Sequence, residues 1–285
     1  MIRISIWAGV LCPLCLLIAC SSPVFYQPRN YQPEQLKIFD SWPGASIIEY
    51  KTPEGMQSAF YLPQRSKPDG LPDKVWVIFS GIKSLALEWQ PRLAKLSDKN
   101  IAFLLIDYPG YGLSKGVARA KRILLSSHTA LAALADYLNV EQKIIEQRLC
   151  ILGHSIGTGT ALQFAVQVDV QKLVLISPFP DLRDLVVHRF GRMVGGFLNL
   201  INPEVYSNRE RLDELATRFP PPEIIIFHGD KDDIIPIDMG RELAERHPSI
   251  TVYHELKGAG HTDFISDYLD LIFGIRGNRV QYETK

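Results

Sequence analysis

Leu149-Cys150-Ile151-Leu152-Gly153-His154-Ser155-Ile156-Gly157 is an apolar run of strand length that ends in Gly-x-Ser-x-Gly, with a helical pattern over 156–168 directly behind it. A chain that turns this sharply from strand to helix brings its own backbone close together. Glycines at 153 and 157 remove the side chains that would collide there. Ser155 then stands at the C-terminal end of the strand with its hydroxyl exposed. The helix that starts beneath it offers unpaired backbone N–H groups and a positive dipole end. The N–H of Ile156 is therefore placed to stabilise a developing oxyanion.

Working outward, further apolar runs of strand length lie at 75–79, 101–106, 173–176, 224–227 and 250–256. Most are continuously hydrophobic, as strands buried on both faces must be. Helical patterns alternate with them at 85–96, 118–138, 238–245 and 262–273. Residues 46–51 and 57–62 read as an antiparallel hairpin around Thr52-Pro53-Glu54-Gly55. The alternation predicts an α/β fold, a mostly parallel central sheet with helices on both faces and the hairpin at one edge. One insertion, about 178–222, breaks the rhythm. Its apolar residues from Leu182 to Ile201 recur at helical spacing, and it is expected to form a short helical cap over the sheet.

A serine hydroxyl is a weak nucleophile without a base, and the base needs an orienting acid. On such a sheet the expected chain order is Ser, then Asp or Glu, then His. The run at 224–227 is followed by His228-Gly229-Asp230-Lys231-Asp232-Asp233-Ile234-Ile235-Pro236, which offers three acids. The run at 250–256 is followed by Gly258-Ala259-Gly260-His261. Both loops leave the C-terminal ends of strands, the edge where Ser155 stands.

From about Ser46 to Phe273 the chain resembles the α/β-hydrolase superfamily. His-Gly-x-x-Asp-x-x-x-Pro matches at 228–236 and implies Asp232 as the triad acid. Gly-x-Gly-His matches at 258–261 and implies His261 as the base. Asp107-Tyr108-Pro109-Gly110-Tyr111-Gly112-Leu113-Ser114-Lys115-Gly116 resembles the family's glycine-rich loop after strand four. Many relatives carry His-Gly after strand three; here Phe79-Ser80-Gly81-Ile82-Lys83 keeps only the glycine. A backbone donor needs no particular side chain, so the second oxyanion donor is assigned to the N–H of Ile82. The resemblance implies hydrolysis of an ester or thioester of a lipophilic acyl group through an acyl-enzyme, in the carboxylesterase or lipase-like class. Dehalogenases and epoxide hydrolases of this fold usually use an Asp nucleophile, which Ser155 argues against. A peptidase or thioesterase of the same fold, and a non-catalytic binding or scaffold lipoprotein, are the alternatives.

The N-terminus carries a different signal. One charge, Arg3, precedes an uncharged apolar stretch over 4–19 that ends in Leu17-Ile18-Ala19-Cys20-Ser21-Ser22. This is a signal-peptide pattern over 1–19, and it resembles the lipobox of bacterial lipoproteins, in which the Cys takes a lipid. Cys20 is the expected lipidation site, with residues 20–44 a Pro-rich tether reaching as far as about 60 Å and 45–285 the hydrolase domain. The expected location is the bacterial envelope, lipid-anchored; Ser21 after the Cys points to the outer membrane facing the periplasm. The expected partners are a small ester or lipid-like substrate and the membrane, reached through the lipid.

Composition adds exclusions. Thirty-one Lys and Arg balance thirty-one Asp and Glu over 285 residues, so no net field recommends nucleic acid. No cofactor is expected: there is no Walker loop, and Gly153, Gly157 and Gly159 lack dinucleotide-fingerprint spacing. No metal is expected either, because the acids at 230–233 are no calcium loop and no His/Cys tetrad exists. Of the four cysteines, only Cys150 lies beyond the signal and lipobox, inside an apolar strand, where it reads as a small buried hydrophobe. Among the seven histidines, His228 reads as a shaper of the acid loop, His154 as a pocket neighbour of Ser155, and His247 and His254 as surface.

Overall fold

The apolar runs assemble into one eight-stranded sheet: β1 (Ser46–Thr52), β2 (Gly55–Leu62), β3 (Lys74–Phe79), β4 (Ile101–Ile106), β5 (Leu149–His154), β6 (Lys172–Ile176), β7 (Glu223–Gly229) and β8 (Thr251–Leu256). The structure is a computed structural model and describes residues 25–201 and 206–275. Strand order is β1-β2-β4-β3-β5-β6-β7-β8. β1 and β2 pair antiparallel, as do β2 and β4; every other neighbour pair is parallel. β4 and β5 are buried at every residue, which is why they read as unbroken apolar runs. β1 alternates between buried and open positions, as a strand with one solvated face does.

Helices cover both faces. The helices are α1 (Pro33–Phe39), α2 (Gln90–Leu93, preceded by a 3₁₀ turn, Ala86–Trp89), α3 (Ala120–Tyr137), α4 (Gln142–Glu146), α5 (Gly157–Ala165), α6 (Leu182–Ile201), α7 (Asn208–Ala216), α8 (Ile237–Arg246) and α9 (Leu269–Ile272). Buried residues of α3, α5, α7 and α8 form one core layer, and those of α1, α2 and α9 form the other. Among the described residues no helix is long and apolar enough to cross a membrane.

Three expectations need correction. The tether expected over 20–44 is not a tether from residue 25 onward: Phe25, Tyr26, Phe39 and Trp42 are buried. Tyr26 Oη lies 2.7 Å from Tyr206 Oη, and Trp42 Nε1–H donates to Pro63 O at 2.8 Å. The prolines there punctuate a packed segment, with Pro33 starting α1. The aromatic anchors carried the contrary signal. The helical pattern at 262–273 yields only α9, preceded by turns. The insertion at 178–222 is also not all cap, since α7 packs into the core beside α5 and α8. The signal segment 1–19 and Cys20 lie outside the described residues.

The cap proper is α6, and it is a hairpin. Gly191 has φ 76° and ψ 165°, which breaks the helix. Asn199 Nδ2–H donates to Arg183 O at 3.0 Å. Sixteen residues of straight helix would hold those groups about 24 Å apart, so the chain has doubled back. A Cβ on Gly195 would sit 2.7 Å from Val187 Cα, so the two arms touch at backbone distance. The inner arm runs to Phe190 and the outer arm starts at Arg192.

Candidate active site

The turn at Ser155 is as tight as the sequence requires. A Cβ on Gly157 would lie 2.2 Å from Phe79 O, and one on Gly153 would lie 2.7 Å from Thr158 Cα. Neither position tolerates a side chain. Ser155 itself has φ 57°, the left-handed region that non-glycine residues avoid. It is held there by its N–H to Ile176 O at 2.9 Å and by Thr158, whose N–H and hydroxyl both donate to Ser155 O. Strain of this kind persists where surrounding structure over-determines it. α5 begins two residues later, so its N-terminal amides lie under the serine.

The loop after β7 presents Asp232, whose side chain is fully buried. Its Oδ1 accepts the N–H groups of Ile234 and Ile235, each at 2.9 Å. Its Oδ2 accepts from His261 Nδ1 at 2.7 Å. His228 Nε2 lies 2.9 Å from Ile235 O and 3.4 Å from the same Oδ2. Burial alone would raise the Asp232 carboxyl; hydrogen bonds from His228 and His261 more than offset this and hold it well below the usual range. Asp232 is thus a permanent carboxylate facing His261 Nδ1, which leaves Nε2 as that ring's free nitrogen. Asp230 instead accepts the Gly258 N–H at 2.6 Å, bracing the His261 loop, and Asp233 is exposed.

His154, next to Ser155 in the chain, packs against the His261 ring of this pair. Its ring centroid is 5.0 Å from that of His261, and its Nε2 is 3.4 Å from His261 O. Burial, reinforced by the neighbouring His261, pushes it down to about 3, so it stays neutral at ordinary pH. Among the described residues no hydrogen bond joins Ser155 Oγ to His261. The acid–imidazole link is closed and the imidazole–serine link is open. Such catalytic contacts are often long in unliganded enzymes and tighten on substrate.

Gly81 and Ile82 pass directly over the serine. A Cβ on Gly81 would lie 3.6 Å from Ser155 Cβ and 3.2 Å from His154 Nδ1. The Ile82 carbonyl is fixed by Gln27 N–H at 3.2 Å and Tyr111 Oη–H at 2.6 Å. Ser155, Ile82 and Ile156 border one cavity of about 460 Å³. Its walls are largely apolar, with Phe25, Leu185, Val186 and Ile235 among them. Lys83 and Arg189 also line it, and no carboxylate does among the described residues.

Of the residues the sequence points to, Ser155, Ile156 and Ile82 border one cavity, while Asp232 and His261 pair with each other on the neighbouring loops, with His261 against the His154 ring. The wall built by Phe25 and Gln27 is not expected from the sequence, whose prolines there suggest a linker; the two adjacent aromatics Phe25 and Tyr26 are its one local signal. His254, expected at the surface, is buried and stacked on Phe227 at 4.8 Å. Cys150 is buried, and burial raises its thiol to about 11, so it is no nucleophile.

Comparison with known proteins follows the same line. The sequence profile described as serine aminopeptidase, S33, matches residues 70–221, more than half of the chain. The chain belongs to this family of α/β hydrolases. Among relatives of the S33 chain, the uncharacterised protein YfhR of Escherichia coli K12 is 24% identical over 242 residues, 81% of this chain and 80% of that one. An uncharacterised protein of Mycobacterium tuberculosis is 25% identical over 222 residues, 78% of this chain and 74% of that one. An α/β hydrolase of Vibrio vulnificus superposes with TM-score 0.69 at 18% identity, covering 93% of this chain and 95% of that one. An esterase of Pyrococcus furiosus gives 0.61 at 17%, with 88% and 95% covered. These likenesses establish the α/β-hydrolase fold for the S33 chain.

Proposed function

We propose that this hydrolase cleaves an ester or thioester of a lipophilic acyl group, with Ser155 as nucleophile, His261 as base and Asp232 as orienting acid. The observation that carries the reading is the 2.7 Å bond from His261 Nδ1 to a buried carboxylate, at the sheet edge where Ser155 is held at φ 57°. His261 Nε2 takes the Ser155 proton as Oγ attacks the acyl carbonyl. The carbonyl oxygen becomes an oxyanion and is met by the N–H groups of Ile82 and Ile156. The proton then passes from His261 to the leaving alcohol or thiol. Water, deprotonated by the same imidazole, releases the acid and restores Ser155. Asp232 keeps the ring in the tautomer this needs and offsets its transient positive charge.

The largely apolar cavity favours an acyl chain. Its cations argue against an aminopeptidase, despite the family's name. A free α-amino group needs a carboxylate to receive it, and Lys83 and Arg189 would repel it. Lipidation at Cys20 and attachment to the envelope belong to the same proposal and rest on the sequence of residues 1–22.

A fluorophosphonate probe should label the wild-type chain at Ser155 and leave Ser155→Ala unlabelled. Turnover of p-nitrophenyl esters of rising acyl length should fall by several orders of magnitude in Ser155→Ala. Full turnover in that variant rejects the mechanism. An unlabelled, inactive wild type favours the binding-protein alternative, which the open Ser155–His261 link would suit.

A further inference from the structure

The outer arm of the cap hairpin presents an apolar face to solvent. Met193 is 90% exposed and Leu200 83%, with Val194 and Phe197 also open. Spacings of one, four and seven residues put these side chains on one side of a helix. Residues this apolar and this open, grouped on one short element, mark a surface that has a partner. At its two ends, Arg192 adjoins Met193 and Arg183 meets the outer arm at Asn199; neither has an ion-pair partner among the described residues, whereas the one acid of α6, Asp184, is paired with Arg209 at 2.7 Å. A face with apolar residues at its centre and free arginines at its ends has the chemistry of an interfacial membrane helix.

We infer that this face of α6 docks on an anionic lipid bilayer and so turns the mouth of the Ser155 cavity toward the membrane. The path of the chain gives an independent reason. Phe25 lines the same cavity as Leu182 and Phe190 of the inner arm. Cys20 is five residues earlier. Five residues span at most about 17 Å whatever path they take. A lipid on Cys20 therefore holds the bilayer next to the cap, and α6 supplies the second contact that a short acyl anchor needs for a fixed orientation. The placement rests on the Cys20 reading; the apolar arm does not. Docked this way, the enzyme meets lipid-like esters at the membrane surface and not from bulk water.

Met193→Trp in the full chain reports the contact as the difference from its parental chain, because Trp42, Trp76 and Trp89 are buried in the sheet's opposite layer and Trp7, in the signal segment, is common to both chains. On phosphatidylethanolamine–phosphatidylglycerol vesicles, the new indole should shift its emission to shorter wavelength. Brominated acyl chains should quench it roughly twofold or more beyond background. Adding Leu200→Glu should return the quenching to background and leave hydrolysis of a short soluble ester unchanged, since neither residue borders the cavity. A solvent-like indole on vesicles overturns the proposal. So does a shift without vesicles: concentration-dependent, it means a second copy covers the arm; concentration-independent, it means the chain's own N-terminal residues do. Ser155→Ala should quench like its parent, which separates this outcome from that of the hydrolase reading, and the intact mass reports the lipid on Cys20 separately.

Discussion

Asp232 is the residue on which the proposed chemistry turns, because its two oxygens have separate duties. Oδ1 holds the acid loop through the Ile234 and Ile235 amides, and Oδ2 faces His261. Asp232→Asn can keep the first duty with its carbonyl oxygen. Its amide must then stand against His261 Nδ1, where it donates a hydrogen bond in place of accepting one. The imidazole is driven to the tautomer that carries its proton toward Ser155, and a base becomes a donor. The expected result is a loss of about 10⁴-fold in kcat for a p-nitrophenyl ester, with KM nearly constant and thermal unfolding changed by no more than a few degrees. Equal losses in kcat and folding would instead make Asp232 a structural residue.

The cap hairpin tests the structure at the level of an element. Its arms meet at Gly195 against the Val187 backbone, a contact no side chain can enter. Gly195→Val should wedge the arms apart while the sheet stays intact. Hydrogen exchange should speed up across Leu182–Ile201 only, and preference for long over short acyl esters should fall several-fold because the inner arm walls the cavity. A uniform rise in exchange over the whole chain would contradict the separation of cap from sheet. This hairpin was only half legible in the sequence. The apolar spacing of 182–201 gave a helix, but the doubling back depends on Gly191 adopting a positive φ and on Gly195 meeting Val187, contacts that periodicity does not carry. The strands were far easier to read. β3 to β7 are buried on both faces, so their composition alone marks them, and β4 was read to the residue. The candidate site residues were legible for a related reason: Gly153, Gly157 and the loops that carry Asp232 and His261 are short-range signals. The wall from Phe25 and Gln27 is built by contacts across more than fifty residues, and no local pattern announces it.

For the whole molecule, two buried groups set opposing pH dependences. His154 has its folded pKa lowered to about 3, chiefly by burial, from an unfolded value near 6.5. Below pH 6.5 the unfolded chain binds a proton that the folded chain refuses, so this term loses stability as pH falls, by roughly 1.4 kcal/mol per unit. Asp107 is the reverse case. Burial pushes it up to about 7, against hydrogen bonds from Tyr31 Oη–H and the N–H groups of Ala86 and Leu113. Between about pH 4 and 7 the folded state holds a proton there that the unfolded state has released, so this term gains stability as pH falls. Over about pH 4 to 6.5 the two nearly cancel. Below pH 4 the Asp107 gain is complete while the His154 loss continues. Asp232 then joins it, because its depressed carboxyl stabilises the fold only while it stays ionised. Urea unfolding should therefore give a stability plateau from about pH 6.5 to 4 and a steep fall below it. Asp107→Asn deletes one side of the balance. Besides a cost of about 1–3 kcal/mol for the mismatched donor at Leu113, it should turn the plateau into a slope of about 1.4 kcal/mol per unit. A parental chain that already slopes over this range would show that Asp107 is ionised throughout and that the three donors outweigh its burial; a variant that stays flat would show that His154 does not supply the opposing term.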